Sequence, residues 1–139
     1  MMLDTTSEWG RHVERRLQQE TVIWLTTVGG NGTPHPSPVW FLWDGASILI
    51  YRKPDTPKLR NVAANPNVAL NFDGDGRGGD IVIFNGMAEI PADVPPSDQV
   101  PAYQEKYAAE IARIGYTPAS FAETYSVAVR VTPSKVRRF

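Results

Sequence analysis

Arg52-Lys53-Pro54-Asp55-Thr56-Pro57-Lys58-Leu59-Arg60-Asn61 is the stretch richest in groups that could bind or transfer charge. It follows an apolar β-branched run and precedes residues that suit a helix, so it leaves a strand and enters a helix. Thr56 suits the N-cap and Pro57 the first helical position. The N–H groups of a first helical turn have no intrahelical acceptor, and the helix dipole favours negative charge beside them. The Thr56 hydroxyl, Lys58, Arg52 and either Lys53 or Arg60 would surround those donors. Together they make an anion site, most naturally for a phosphate. A charge-assisted hydrogen bond contributes about 1.5–3 kcal/mol, so a few of them would anchor a phosphorylated cofactor before association costs. The same residues also fit a plain junction. In that case Thr56 only caps its helix, Asp55 neutralises a cation and the lysine is solvated.

Pro36-Ser37-Pro38-Val39-Trp40 lies upstream. Proline cannot donate to a ladder, so this strand belongs on an edge or at a bulge. An edge strand keeps backbone polar groups free to meet a flat heterocycle. Beside a phosphate site it would serve as a ring-binding platform.

Other chemistries fit less well. There is no cysteine, which excludes disulfides, thiolate catalysis and cysteine-based metal sites, and suits a reducing cytoplasm. The two histidines, His12 and His35, are far apart, so no histidine-rich metal site is expected. Gly74-Asp75-Gly76-Arg77-Gly78-Gly79 precedes a β-rich run rather than a helix, and lacks the lysine and hydroxyl of a phosphate loop. The same segment fails as a calcium loop, because Phe84 stands where the twelfth-position glutamate belongs. It reads as a connection between strands. The net charge of −1 gives no basic excess for a nucleic-acid partner. No apolar run approaches the roughly 20 residues of a membrane span, and Met1–Glu20 is too polar for a signal peptide.

These segments need a scaffold, and 139 residues with 42% hydrophobic and 21% charged composition suit one domain over residues 1–139. Six strands are expected: 21–28, 36–43, 46–51, 67–72, 80–90 and 125–132. Asp44-Gly45 between two apolar runs marks a hairpin. Trp40 and Trp43 have opposite parity on a continuous strand, so one of them must face a partner, a ligand or another layer. Three helices are expected. The first follows a capping box in Thr5-Thr6-Ser7-Glu8 and carries the stripe Trp9, Val13, Leu17, with Arg11, Arg15 and Arg16 on a solvated face. The second covers 58–64 and the third 95–114. Tight hairpins and few helices point to a mainly β fold with flanking helices, a small antiparallel barrel.

The residues quoted so far also carry a resemblance. Trp24-Leu25-Thr26-Thr27, the run from Gly32 to Gly45, Ile48-Leu49-Ile50-Tyr51, Lys58-Leu59-Arg60-Asn61-Val62, Asn65-Pro66-Asn67-Val68-Ala69-Leu70 and the tail from Tyr125 to Phe139 resemble the split β-barrel flavin-binding superfamily of the pyridoxamine 5′-phosphate oxidases. Within it the chain is most similar to actinobacterial reductases dependent on the deazaflavin coenzyme F420. The resemblance implies a six-stranded antiparallel split β-barrel of the FMN-binding kind. It also implies a homodimer with cofactor at its interface, and hydride transfer between reduced F420 and a small-molecule substrate. FMN is the alternative cofactor, and a non-catalytic cofactor-binding protein the alternative role. The phosphate lysine falls on Lys58, the phosphate-side hydroxyl on Thr56, and nearby strand residues on Tyr51 and Arg52. The ring-binding strand falls on Ser37, Pro38, Val39 and Trp40, and Asn61 joins the cofactor-binding set. No side chain is expected as an obligatory nucleophile, because the cofactor carries the chemistry. Pro57 stands where the vitamin B6 oxidases place an arginine, which argues against pyridoxamine phosphate oxidation.

Overall fold

The structure is a computed structural model and describes residues 3–138. Its elements run α1 (Glu8–Gln19), β1 (Ile23–Val28), β2 (Pro34–Val39), β3 (Leu42–Trp43), β4 (Ile48–Arg52), α2 (Pro57–Ala64), β5 (Asn67–Asn71), β6 (Ile83–Glu89), α3 (Pro101–Arg113), α4 (Pro118–Thr124) and β7 (Val127–Arg137). The strands form one antiparallel sheet in the order β2-β1-β5-β6-β7-β4-β3. Seven strands therefore replace the expected six.

The extra strand comes from a break in the expected strand 36–43. Its first part pairs with β1 and its second with β4, so they sit on opposite edges of the sheet. Only Trp40 and Phe41 connect them. A residue spans at most about 3.6 Å, so this short link forces the sheet to curl until its edges nearly meet. The result is an open barrel rather than a closed one, because β2 and β3 do not pair. The break also resolves the parity of the two tryptophans. Trp43 packs against the barrel core and donates from Nε1 to Glu14 at 3.1 Å, while Trp40 stacks beneath α3 and α4.

The strands feed two apolar layers. Ile23 and Leu25 of β1, Ile48 and Ile50 of β4, Leu70, Phe84, Val129 and Val131 fill the barrel interior, joined by Val13 and Leu17 of α1. Tyr51 and Ala128 point the other way and meet Tyr103, Tyr107, Ile111 and Phe121. The Asp44-Gly45 hairpin forms as expected, with Asp44 Oδ1 accepting from the Ala46 and Ser47 N–H groups and Gly45 at φ 96.

Several boundaries differ from expectation for local reasons. The cap of α1 is Ser7, which accepts from Gly10 N at 3.0 Å, so the expected capping box does not form. Arg16 is not on a solvated face. Its guanidinium lies over Phe72, donates to the Asp73 and Asp80 carbonyls and pairs with Asp80 and Glu20, tying α1 to the β5–β6 connection. That connection is held by Asp75, whose Oδ1 accepts from Arg77 N and Gly79 N. The third expected helix starts at Pro101, after a 3₁₀ turn at Ser97–Gln99. The chain then forms α4, an unexpected helix capped reciprocally by Thr117 and Ser120. β6 starts at Ile83 rather than at residue 80, and β7 continues through Pro133 to Arg137.

Lys106 clamps α3 to the Trp40–Phe41 link. It donates to the Phe41 carbonyl at 2.8 Å and stands 3.8 Å from the centre of the Phe41 ring. Burial pushes its ammonium down to about 8, opposed by the charge of Glu20. Unfolded lysine titrates near 10.5. Between those values the unfolded chain binds more protons, so folding stability rises with pH across that window. Below pH 8 the desolvation penalty is present in full. Urea unfolding between pH 7 and pH 10 should therefore show this rise, and Lys106→Met should flatten it. A slope left intact in the variant would assign the effect to another group.

Candidate functional site

The strand-to-helix junction forms where the sequence places it. Arg52 ends β4, Thr56 stands at the N-cap of α2, and Pro57 and Lys58 open that helix. The chain turns through Asp55, which adopts φ 60, a left-handed conformation that aspartate tolerates better than most residues. Arg60 pins the turn by donating to the Asp55 carbonyl at 3.0 Å, and Lys53 lies 5.5 Å from the Tyr125 ring centre. Asn61 donates to the buried Thr27 hydroxyl at 3.1 Å, which seats α2 on β1.

Thr56 occupies its cap position without using its side chain. Its hydroxyl makes no capping bond. Four buried side-chain polar atoms have no hydrogen-bond partner among the described residues, and three of them are Ser37 Oγ, Arg52 Nε and Thr56 Oγ1. Leaving such atoms unpaired costs about 1–3 kcal/mol each, so their concentration in the expected set points to a ligand that satisfies them. Burial lowers the pKa of Arg52. Burial first and the Arg52 charge second lower that of Lys58. The two cations are near enough for one charge to act on the other, and neither forms an ion pair among the described residues.

The β2 strand offers a second feature. Pro34, Pro36 and Pro38 pair with Val28, Thr26 and Trp24 across the ladder. Proline has no N–H, so the alternate pairs Leu25–Ser37, Thr27–His35 and Ile23–Val39 carry the ladder bonds. The outer edge of β2 therefore presents carbonyl acceptors and no donors. It cannot template another strand in full, and it suits a ligand edge that carries N–H groups.

Between this edge and β4 lies a cavity of about 290 Å³. Pro38, Val39 and Trp40 form one wall and Tyr51 and Arg52 another. Helices α3 and α4 close it with Tyr103 and Phe121, and Val22 and Ile114 stand at its rim. Trp40 stacks on Tyr107 at 4.9 Å and on Phe121 at 5.6 Å. Tyr51 donates its hydroxyl to the Pro95 carbonyl at 2.7 Å, so it offers the cavity its ring. Burial raises its pKa to about 12. Of the nine expected site residues, Pro38, Val39, Trp40, Tyr51 and Arg52 line the cavity, while Ser37, Thr56, Lys58 and Asn61 do not. Sequence reasoning missed Val22, Tyr103, Ile114, Phe121 and Tyr125; the last four come from α3, α4 and their C-caps, whose apolar spacing reads as ordinary core. The turn and capping residues of Thr117-Pro118-Ala119-Ser120 mark the start of α4 and could have found Phe121.

An open antiparallel barrel with a cavity beside its β2 edge defines a class of small β-barrel proteins. The chain belongs within that class to the pyridoxamine 5′-phosphate oxidase family, whose model matches residues 10–139. An F420 reductase of known structure is 26% identical, with a TM-score of 0.68 and a match covering 89% of this chain and 94% of that one. A conserved hypothetical protein from Mycobacterium tuberculosis is 24% identical, with a TM-score of 0.73 and coverage of 96% and 84%. An FAD-binding protein from Mesorhizobium loti is 19% identical, with a TM-score of 0.67 and coverage of 91% and 90%. The last two show the fold alone. No curated protein matches the chain. Among the described residues no helix is long and apolar enough to cross a membrane.

Proposed function

We propose that this protein is a cytoplasmic, homodimeric oxidoreductase that uses coenzyme F420 to reduce a small-molecule substrate. Arg52, Thr56 and Lys58 would hold the cofactor phosphate. The ring lies along the open edge of β2 at Ser37, Pro38, Val39 and Trp40. The observation that carries this reading is the trio of buried, partnerless atoms, Ser37 Oγ, Arg52 Nε and Thr56 Oγ1. A phosphate would accept from Arg52 and Thr56, the ring edge would meet Ser37, and two cations with lowered pKa values favour an anion. The acceptor-only edge of β2 complements the N–H groups of a heterocyclic ring.

When bound, reduced F420 supplies a hydride. The chain's own contribution is binding, orientation and exclusion of water. Trp40, Tyr51 and Phe121 wall the cleft with apolar surface, which shields a reactive ring from solvent. No side chain is required as a nucleophile.

FMN is the second reading. It carries the same phosphate, so Arg52, Thr56 and Lys58 serve either cofactor. Titrating the purified protein with oxidised F420 and separately with FMN, followed by tryptophan fluorescence, tests the choice, because Trp40 lines the cleft. Tight F420 binding with weak FMN binding is expected. The reverse order moves the protein to flavin chemistry with the phosphate site intact. Binding of neither overturns the cofactor reading. Tight binding without reduction of any acceptor would make it a cofactor carrier.

A further inference from the structure

Ile23, Leu25 and Thr27 share the buried face of β1, and Thr27 is the polar residue among them. It is fully buried. Valine has nearly the same shape, so the hydroxyl is there for its hydrogen bond rather than for packing. Its partner is Asn61 of α2, whose Nδ2 donates to Thr27 Oγ1 at 3.1 Å. The other contacts of α2 with the barrel are apolar, through Leu59 and Val62. Apolar contact is non-directional and lets a helix of eight residues slide or roll. A hydrogen bond weakens steeply with angle, so this one fixes where α2 sits on β1. The two ends of the bond belong to the two halves of the site. Helix α2 carries Thr56 at its N-cap and Lys58 in its first turn. Strand β1 holds the ring strand: Thr27 pairs with His35, and Leu25 with Ser37. Neither Thr27 nor Asn61 lines the cavity.

We infer that Thr27 and Asn61 are a positioning pair, whose hydrogen bond sets the span between the phosphate end of the site and the ring strand. The inference rests on the cofactor reading. Asn61 spends its donor on Thr27 rather than on the ligand, and acts through the helix it holds in place. A ligand that joins ring and phosphate by one linker must match this span at both ends. A ligand with only one of the two ends does not sense it.

Three probes titrated by calorimetry test this: F420 or FMN, whichever binds more tightly; its phosphate-free ribityl ring; and inorganic phosphate. Thr27→Val should weaken the whole cofactor at least about tenfold while both fragments stay within about twofold. Thr27→Ser keeps the hydroxyl and should hold whole-cofactor affinity within about threefold of the unaltered protein. Asn61→Ala removes the donor from a helix that alanine suits, and should repeat the valine result should the strand variant misfold. In a Lys58→Ala background Thr27→Val should cost the cofactor clearly less, because residues that act through one ligand are not additive. Parallel loss of inorganic phosphate and cofactor overturns the span, since the bond would then shape the phosphate cluster alone. An equal loss in the serine and valine variants makes the effect one of packing and overturns it as well. So does unchanged cofactor affinity in Thr27→Val and Asn61→Ala. Failure of the unaltered protein to bind either cofactor is a separate result, which overturns the cofactor reading and the role of the pair with it.

Discussion

Arg52→Ala combined with Lys58→Ala should weaken cofactor binding by about 10²–10⁴-fold, with the fold intact. The range follows from two charge-assisted hydrogen bonds at about 1.5–3 kcal/mol each, converted at 1.4 kcal/mol per decade. The fold should tolerate the change because neither residue forms an ion pair among the described residues. Burial disfavours the charged form of both, so losing them removes a desolvation cost. Stability in urea should therefore hold or rise while affinity collapses. Thr56→Val provides a control that carries no charge. Its hydroxyl is buried without a partner and makes no capping bond, so replacing it should raise stability slightly while lowering affinity. Fluorescence titration beside urea unfolding separates the two effects. Unchanged affinity in the double variant would remove the phosphate site. A parallel loss of stability and affinity would mean that these residues serve the fold.

The opposing behaviour of stability and affinity is what a built site produces. A polar atom that stabilises the fold has a partner in the fold. Asn61 and Tyr51 are examples: their side chains are committed to Thr27 and Pro95, although the sequence groups them with the cofactor contacts. Ser37, Arg52 and Thr56 are the contrary case. Sequence could not separate the two groups, because the partners of Asn61 and Tyr51 are 34 and 44 residues away and follow no local pattern.

Features written in local chemistry were legible. Asp44-Gly45 forces a positive φ between apolar runs, alternating prolines consign β2 to an edge, and Thr56-Pro57 starts a helix. The break at Trp40–Phe41 was not legible. Both residues are good strand formers, and nothing in their spacing interrupts the run. Tertiary pairing with two different strands decides the matter. Helix α4 was also hidden, because seven residues with only Phe121 and Ala122 buried give too short a run for a 3.6-residue period to emerge. Arg16 reads as solvated because its partners Asp73 and Asp80 become neighbours only when α1 packs on the barrel. The cavity inherits these difficulties, since its walls come from elements far apart in sequence.

Tyr107→Phe should destabilise the protein by about 2–3 kcal/mol and lower cofactor affinity from a distance. The Tyr107 hydroxyl accepts from the buried Phe41 N–H at 2.8 Å and lies 2.9 Å from the Phe41 carbonyl and 2.8 Å from that of Thr21. Phenylalanine preserves the ring and its stacking on Trp40 but leaves the Phe41 N–H without an acceptor. An orphaned buried donor costs about 1–3 kcal/mol, and the hydroxyl's own donated bond about 1 more. The Phe41 carbonyl keeps Lys106 as a donor, which limits the loss. The affected backbone is the two-residue link that carries the chain from one edge of the sheet to the other. If the link loosens, β2 shifts relative to β4, and with it the ring platform relative to Arg52. Cofactor affinity should therefore fall although Tyr107 lies outside the cavity lining and the phosphate cluster. Urea unfolding and fluorescence titration of the same variant measure both effects. A stability change below about 0.5 kcal/mol would mean that α3 does not hold the link through this hydroxyl. Lost stability with unchanged affinity would mean that the edges of the barrel are positioned by the rest of the sheet.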